Sequence, residues 1–132
     1  LFNKNLIPFA KRLILKWYRE AAEKYLFARV RDLSNKYGFR FAGLALSKAA
    51  GRWGSCSRKD SIRLNWRLIM APIEVIDYVI IHELTHTKIK GHGKKFWHDL
   101  ATIMPDYRTQ STWLKENANK LYFKFAPDIS TT

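Results

Sequence analysis

From about Asn5 to Tyr37, apolar side chains return at steps of three and four. Phe9, Leu13, Trp17, Ala21, Tyr25 and Ala28 form a stripe that Ile14, Tyr18, Ala22 and Leu26 widen, the spacing of an amphipathic helix. That stripe is the expected core face, with Lys11, Arg12, Lys16, Arg19, Lys24 and Arg31 turned outward. Pro8 fits a first turn and Gly38 a stop. The period then changes to two. Phe39, Phe41, Leu44 and Leu46 predict a strand bent at Gly43, and Ile62, Leu64, Trp66 and Leu68 alternate with Arg63, Asn65 and Arg67 in another. Between them, Gly51 to Ser61 reads as a loop or irregular hairpin. Pro72 opens a second helix, to about Lys90, whose apolar residues from Ile73 to Leu84 surround it, so it is expected to be central and buried. Two more helices follow near Lys94–Thr102 and Tyr107–Lys120, separated at Met104-Pro105. Helix, small sheet, then helices is an α+β arrangement.

With 132 residues, 47% hydrophobic and 27% charged, the chain is expected to be one domain spanning 1–132, able to bury a core of its own. The single cysteine, Cys56, excludes an internal disulfide framework and any cysteine-based zinc finger. No apolar run approaches the ~20 residues of a membrane span, so no membrane partner is expected, and a reducing, cytoplasmic setting is. Leu1 is not an initiating methionine, which suggests the C-terminal part of a longer protein.

Charge sharpens the picture. The net charge is +13, and residues 1–70 hold 16 basic against 4 acidic groups, whereas residues 71–132 hold 8 against 7. Such asymmetry points to nucleic acid or another polyanion as a partner of residues 1–70, or simply to a solvated face.

All four histidines fall within residues 82–98, and His82-Glu83-Leu84-Thr85-His86 is an HExxH motif. Residues four apart lie one helical turn above each other, so both imidazoles can reach one ion. Neutral imidazole suits Zn²⁺, and a position left open holds a water that Glu83 can deprotonate. A catalytic site needs a third ligand. His92 is flanked by Gly91 and Gly93, which let the chain leave the helix and swing back, and Phe96 one turn on can fix its ring. His98, beside Trp97 on a packed helix, is the rival. Ile89 stands where a metzincin places a glycine, which disfavours that fold.

Several further segments, read together, resemble one family. They are Arg52-Trp53-Gly54-Ser55-Cys56-Ser57, Leu64-Asn65-Trp66-Arg67-Leu68, Val75-Ile76-Asp77-Tyr78 running into the HExxH, His92 with Phe96-Trp97, Met104-Pro105-Asp106-Tyr107, and Trp113-Leu114. This pattern is similar to the YgjP-like zinc metallopeptidases, distant relatives of SprT-like proteases. The resemblance implies a minimal zincin-like core: a long supporting helix, a small sheet, an active-site helix and C-terminal helices. It also implies His82, His86 and His92 as ligands of one Zn²⁺ per chain, and Glu83 as the catalytic base.

Around that centre, Arg52, Trp53 and Asn65 are candidate cleft residues, Tyr107 a candidate oxyanion donor, and Asp99 or Asp106 a candidate acceptor for the outer N–H of a ligand histidine. Cys56 as a fourth ligand would close the site. Ile62–Leu68 is expected to bind substrate by strand addition, with Arg63 and Arg67 favouring an acidic or phosphate-bearing group. The leading function is zinc-dependent peptide hydrolysis. The alternatives are a zinc-dependent hydrolase of nucleotides or other phosphate esters, and a nucleic-acid-binding module with zinc protease activity on bound proteins.

Overall fold

The computed structural model describes residues 6–48 and 51–121, so the expected helix start at Asn5 lies outside the described residues. Helix α1 (Leu6–Tyr37) runs 32 residues and stops at Gly38, whose φ of 73° lets the Phe39 N–H turn back to the Ser34 carbonyl. Of the predicted stripe the helix buries only the widened edge, Ala22 and Leu26, and continues that line through Val30 and Leu33. Ala22, Leu26, Val30 and Leu33 are sealed, while Phe9, Leu13 and Trp17 are 50%, 51% and 63% exposed. The helix carries apolar residues on two sides. The side that carries Ala22, Leu26, Val30 and Leu33 packs against α2 (Ile73–Thr85) and a 3₁₀ turn (Trp66–Met70). Arg29 fixes the register, donating from Nε and Nη2 to the two carboxylate oxygens of Asp77 on α2, both at 2.7 Å.

The sheet has the order β1-β3-β2, with β1 (Gly43–Ser47) parallel to β3 (Ser61–Asn65) and β2 (Gly54–Cys56) antiparallel to it. The expected Ile62–Leu68 strand therefore ends at Asn65. The Asn65 side chain accepts from the Arg67 N–H at 3.0 Å and caps the 3₁₀ turn that follows. Two expectations fall with it. Strand β3 is central, so no substrate strand can add to it, and Arg67 is 1% exposed, its guanidinium 4.5 Å above the Trp66 ring. The strand with an unpaired edge on the α2 side is β2.

Helix α2 is the buried centre, with Val75, Ile76, Val79, Ile80, Ile81 and Leu84 in the core. It ends at Thr85 rather than near Lys90. The Thr85 hydroxyl donates to the Ile81 carbonyl and the Thr87 hydroxyl to that of Leu84, and the chain tightens through His86 and Thr87 before leaving at Gly91, φ 80°. Helices α3 (Lys94–Ile103) and α4 (Tyr107–Asn117) pack on α2, and a short 3₁₀ segment, Ala118–Leu121, replaces the expected last turn of α4. No helix among the described residues is long and apolar enough to cross a membrane.

Candidate metal centre

The last turn of α2 and the loop to α3 bring three imidazoles to one point. His92 Nε2 lies 3.2 Å from His82 Nε2 and 3.0 Å from His86 Nε2. One ligand atom from each histidine lies within 4.8 Å of the others. His86 Nδ1–H donates to the Ile89 carbonyl at 3.0 Å, which leaves its Nε2 unprotonated. His92 Nε2 carries at most one proton, so at most one of its two short contacts is a hydrogen bond. Three ring nitrogens converging on a common point suit a shared cation, and the contacts approach the roughly 3.3 Å edge of a tetrahedral site with ~2.0–2.1 Å Zn–N bonds. The residues present therefore fit a zinc ion.

Burial and the two neighbouring imidazoles push the His82 pKa down to about 3, and burial lowers that of His86. Both rings are thus neutral at physiological pH, the form in which an imidazole can hold a metal. Phe96, fully buried on α3, touches all three: its centroid is 5.0 Å from His82, 4.4 Å from His86 and 5.0 Å from His92. Trp97 stacks on His92 and donates from Nε1 to the His92 carbonyl at 3.0 Å, holding the loop as well as the ring.

Glu83, 7% exposed, points from α2 toward β2, and burial pushes its pKa up to about 7 against the opposing charge of Arg52. It can sit there because residue 54 is glycine. A Cβ on Gly54 would lie 2.9 Å from Glu83 Cγ and 3.1 Å from its Oε2.

Of the other candidates, Arg52 and Trp53 line the cleft in front of His82 and Glu83. Asn65 is buried beneath them and donates from Nδ2 to the Arg52 carbonyl at 3.3 Å. Tyr107 is one layer out, its ring stacked on Trp97 at 5.2 Å. Asp99 pairs with Lys95 at 3.6 Å and Asp106 accepts from Gln110 at 3.1 Å, so the structure brings neither to a histidine. The polar groups beside the triad are instead the Ile89 carbonyl and the Tyr78 hydroxyl, 3.5 Å from His82 Nδ1. Cys56 lines the cleft, but its thiol, turned to the Ser57 carbonyl, is outside the converging group, as is His98 on α3. Gly54, Tyr78 and Ile89 were read from sequence only as parts of motifs, with no role at the site. Tyr78 had a signal, since it stands one turn before His82; the roles of Gly54 and the Ile89 carbonyl depend on contacts across the fold.

A family model described as "YgjP-like, metallopeptidase domain" matches residues 3–117. Among solved structures, the fold is similar to two metallopeptidase zymogens. Abylysin of Pyrococcus abyssi is 15% identical with a TM-score of 0.57, over 80% of this chain and 99% of that one. Jannalysin of Methanocaldococcus jannaschii is 22% identical with a TM-score of 0.55, over 72% of this chain and 95% of that one. At these identities the likeness shows the fold. No curated protein matches the chain.

Proposed function

The chain belongs to the YgjP-like metallopeptidase family, and we propose that it is a zinc-dependent peptidase in which His82, His86 and His92 hold the metal and Glu83 is the general base. The observation that carries this reading is the convergence of the three Nε2 atoms beside a buried carboxylate in an open cleft. When bound, zinc supplies a Lewis acid for the scissile carbonyl and acidifies a water. Glu83 takes the proton of the attacking water and returns it to the departing amine, a role suited to a buried carboxylate beside the three histidines. Gly54 keeps that carboxylate against the edge of β2, where an extended chain is reached most directly. Phe96 and Trp97 hold the imidazoles still, and the Ile89 carbonyl fixes the His86 tautomer.

The test pairs two readouts. Metal content of the purified protein, measured before and after chelation, checks the ligand set; hydrolysis of an unfolded polypeptide, lost with the chelator and restored by added Zn²⁺, checks the reaction. A protein that binds one zinc and cleaves no polypeptide overturns the peptidase assignment. A second reading, hydrolysis of nucleotides or other phosphate esters, is favoured by Arg52 and Arg58 in the same cleft. Nucleoside triphosphates in the same assay separate the two.

A further inference from the structure

The cleft has two arms that meet at His82 and Glu83, with Arg52 and Gly54 shared between them. Their chemistry differs. One arm is walled by Trp53, Tyr78, Val79 and Leu114. Trp53 is 9% exposed and Leu114 7%, so this wall is firm and mostly apolar, with Lys115 the other charged residue along it. The second arm, past Cys56, is lined by Arg52, Arg58 and Lys90.

The charges of the second arm are not equivalent. Lys90 is already engaged, its Nζ donating to Asp60 Oδ1 at 2.7 Å and to the Ser57 carbonyl at 3.2 Å. That pair ties the β2–β3 turn to the loop after α2 and cancels both charges. Arg52 and Arg58 are exposed and, among the described residues, neither has a carboxylate within ion-pair distance. The backbone of Arg52 is held by buried Asn65, and Arg58 sits on the turn that Lys90 anchors. Two guanidinium groups thus stand on supported backbone beside the reacting centre, opposite an apolar wall.

Resting on the peptidase reading above, we propose that the enzyme cleaves polypeptides between an apolar residue and an acidic one, the acidic side chain seated against Arg52 and Arg58. A peptide whose scissile carbonyl sits at His82 and Glu83 sends the residues on either side of the bond into different arms. The apolar side chain finds Trp53, Val79 and Leu114; a lysine or arginine in the other arm meets two like charges. Paired guanidinium–carboxylate contacts at a partly screened surface correspond to about 5- to 20-fold in kcat/KM for two such pairs. The expectation that Arg63 and Arg67 read an acidic substrate is thereby moved to residues that face the cleft.

The experiment uses the zinc-loaded protein and matched peptides differing only in one residue beside an apolar one: Glu, Gln or Lys. Expected is the kcat/KM order Glu over Gln over Lys, the first step about 5- to 20-fold and diminished by salt. Arg58→Glu is expected to invert the Glu-to-Lys preference, and Arg58→Lys to keep it. Arg58 is exposed on a turn, so both variants should fold; circular dichroism confirms this. Mapping the cleaved bond shows on which side the acid lies. Equal cleavage of the three peptides, or an order unmoved by Arg58→Glu, overturns the specificity while leaving the peptidase reading intact. Cleavage of none of them together with hydrolysis of nucleoside triphosphates overturns both.

Discussion

Gly54 on β2 and Glu83 on α2 are packed so closely that a single methyl group at position 54 cannot be accommodated without displacement: it would lie 2.9 Å from Glu83 Cγ and 3.1 Å from both Glu83 Oε2 and Val79 Cγ1. The strand edge and the Glu83 carboxylate are therefore one packed unit, which gives the Arg52-Trp53-Gly54 segment a steric reason for its glycine.

Gly54→Ala is expected to push the carboxylate aside while leaving the three histidines in place. Misplacement of a catalytic group by about 1 Å costs on the order of 10²-fold, and Glu83 has some freedom to rotate, so a loss of about 10- to 100-fold in kcat is expected. Zinc stoichiometry should stay at the wild-type value. Unaltered kcat in a folded, metal-loaded Gly54→Ala protein would show that Glu83 does not work from this position.

Glu83→Gln removes the proposed base and keeps the shape. Hydrolysis is expected to fall by about 10²- to 10⁴-fold, with metal content unchanged, because the carboxylate is not part of the converging ligand group. The measurement is single-turnover cleavage beside metal analysis of the same sample.

How much of this was legible in the chain differs element by element. Helix α2 and its HExxH were plain, since Ile73 to Leu84 are apolar almost all round and the two histidines sit one turn apart. The apolar stripe of α1 was real, but periodicity reports that a face exists, not how much of it a neighbour covers; α2 and the Trp66–Met70 turn cover the Ala22 and Leu26 edge and leave Phe9, Leu13 and Trp17 exposed. The alternation Ile62, Leu64, Trp66, Leu68 ran through Asn65 without a break, and only the side chain of Asn65 accepting from the Arg67 N–H shows that the strand stops there. The carboxylates expected beside the histidines were chosen by type, whereas the fold uses the Ile89 carbonyl, whose position depends on how α2 unwinds.

His92 and His98 make opposite forecasts. His92 Nε2 lies 3.0 Å from His86 Nε2 and 3.2 Å from His82 Nε2, while His98 is exposed on α3 outside the group. His92→Ala is expected to lose most tightly bound zinc together with catalysis, and His98→Ala to retain both. Zinc counted per chain after exhaustive dialysis decides it; metal lost with His98→Ala but kept with His92→Ala would refute the assignment.

The Arg29–Asp77 pair should matter to stability in a way the surface pairs do not. Its side chains are 29% and 17% exposed and meet through two 2.7 Å hydrogen bonds across α1 and α2. Lys16 and Glu20 are 73% and 65% exposed at 3.9 Å within one helix. Asp77→Asn is expected to cost about 1–2 kcal/mol, several degrees in Tm, and Lys16→Ala less than about 0.5 kcal/mol. Thermal unfolding followed by circular dichroism compares the two directly.

The basic half of the chain makes the last forecast. Lys11, Arg12, Lys16, Arg19, Lys24 and Arg31 are all exposed along α1, with Trp17 63% exposed among them. Cations spaced along a rod, with an aromatic face between them, suit a polyanion whose bases can stack. If nucleic acid is the partner, affinity should fall linearly in log–log form with salt, by about 0.9 per phosphate contacted on duplex and about 0.7 on single strands. Replacing Arg12 and Arg19 by Gln should then flatten that slope by up to about two phosphates' worth, and Trp17→Ala should weaken single strands more than duplex. Fluorescence anisotropy at a series of salt concentrations measures all three. No binding at low ionic strength, or a slope unmoved by the Arg12 and Arg19 changes, would leave these cations as a solvated face of the helix.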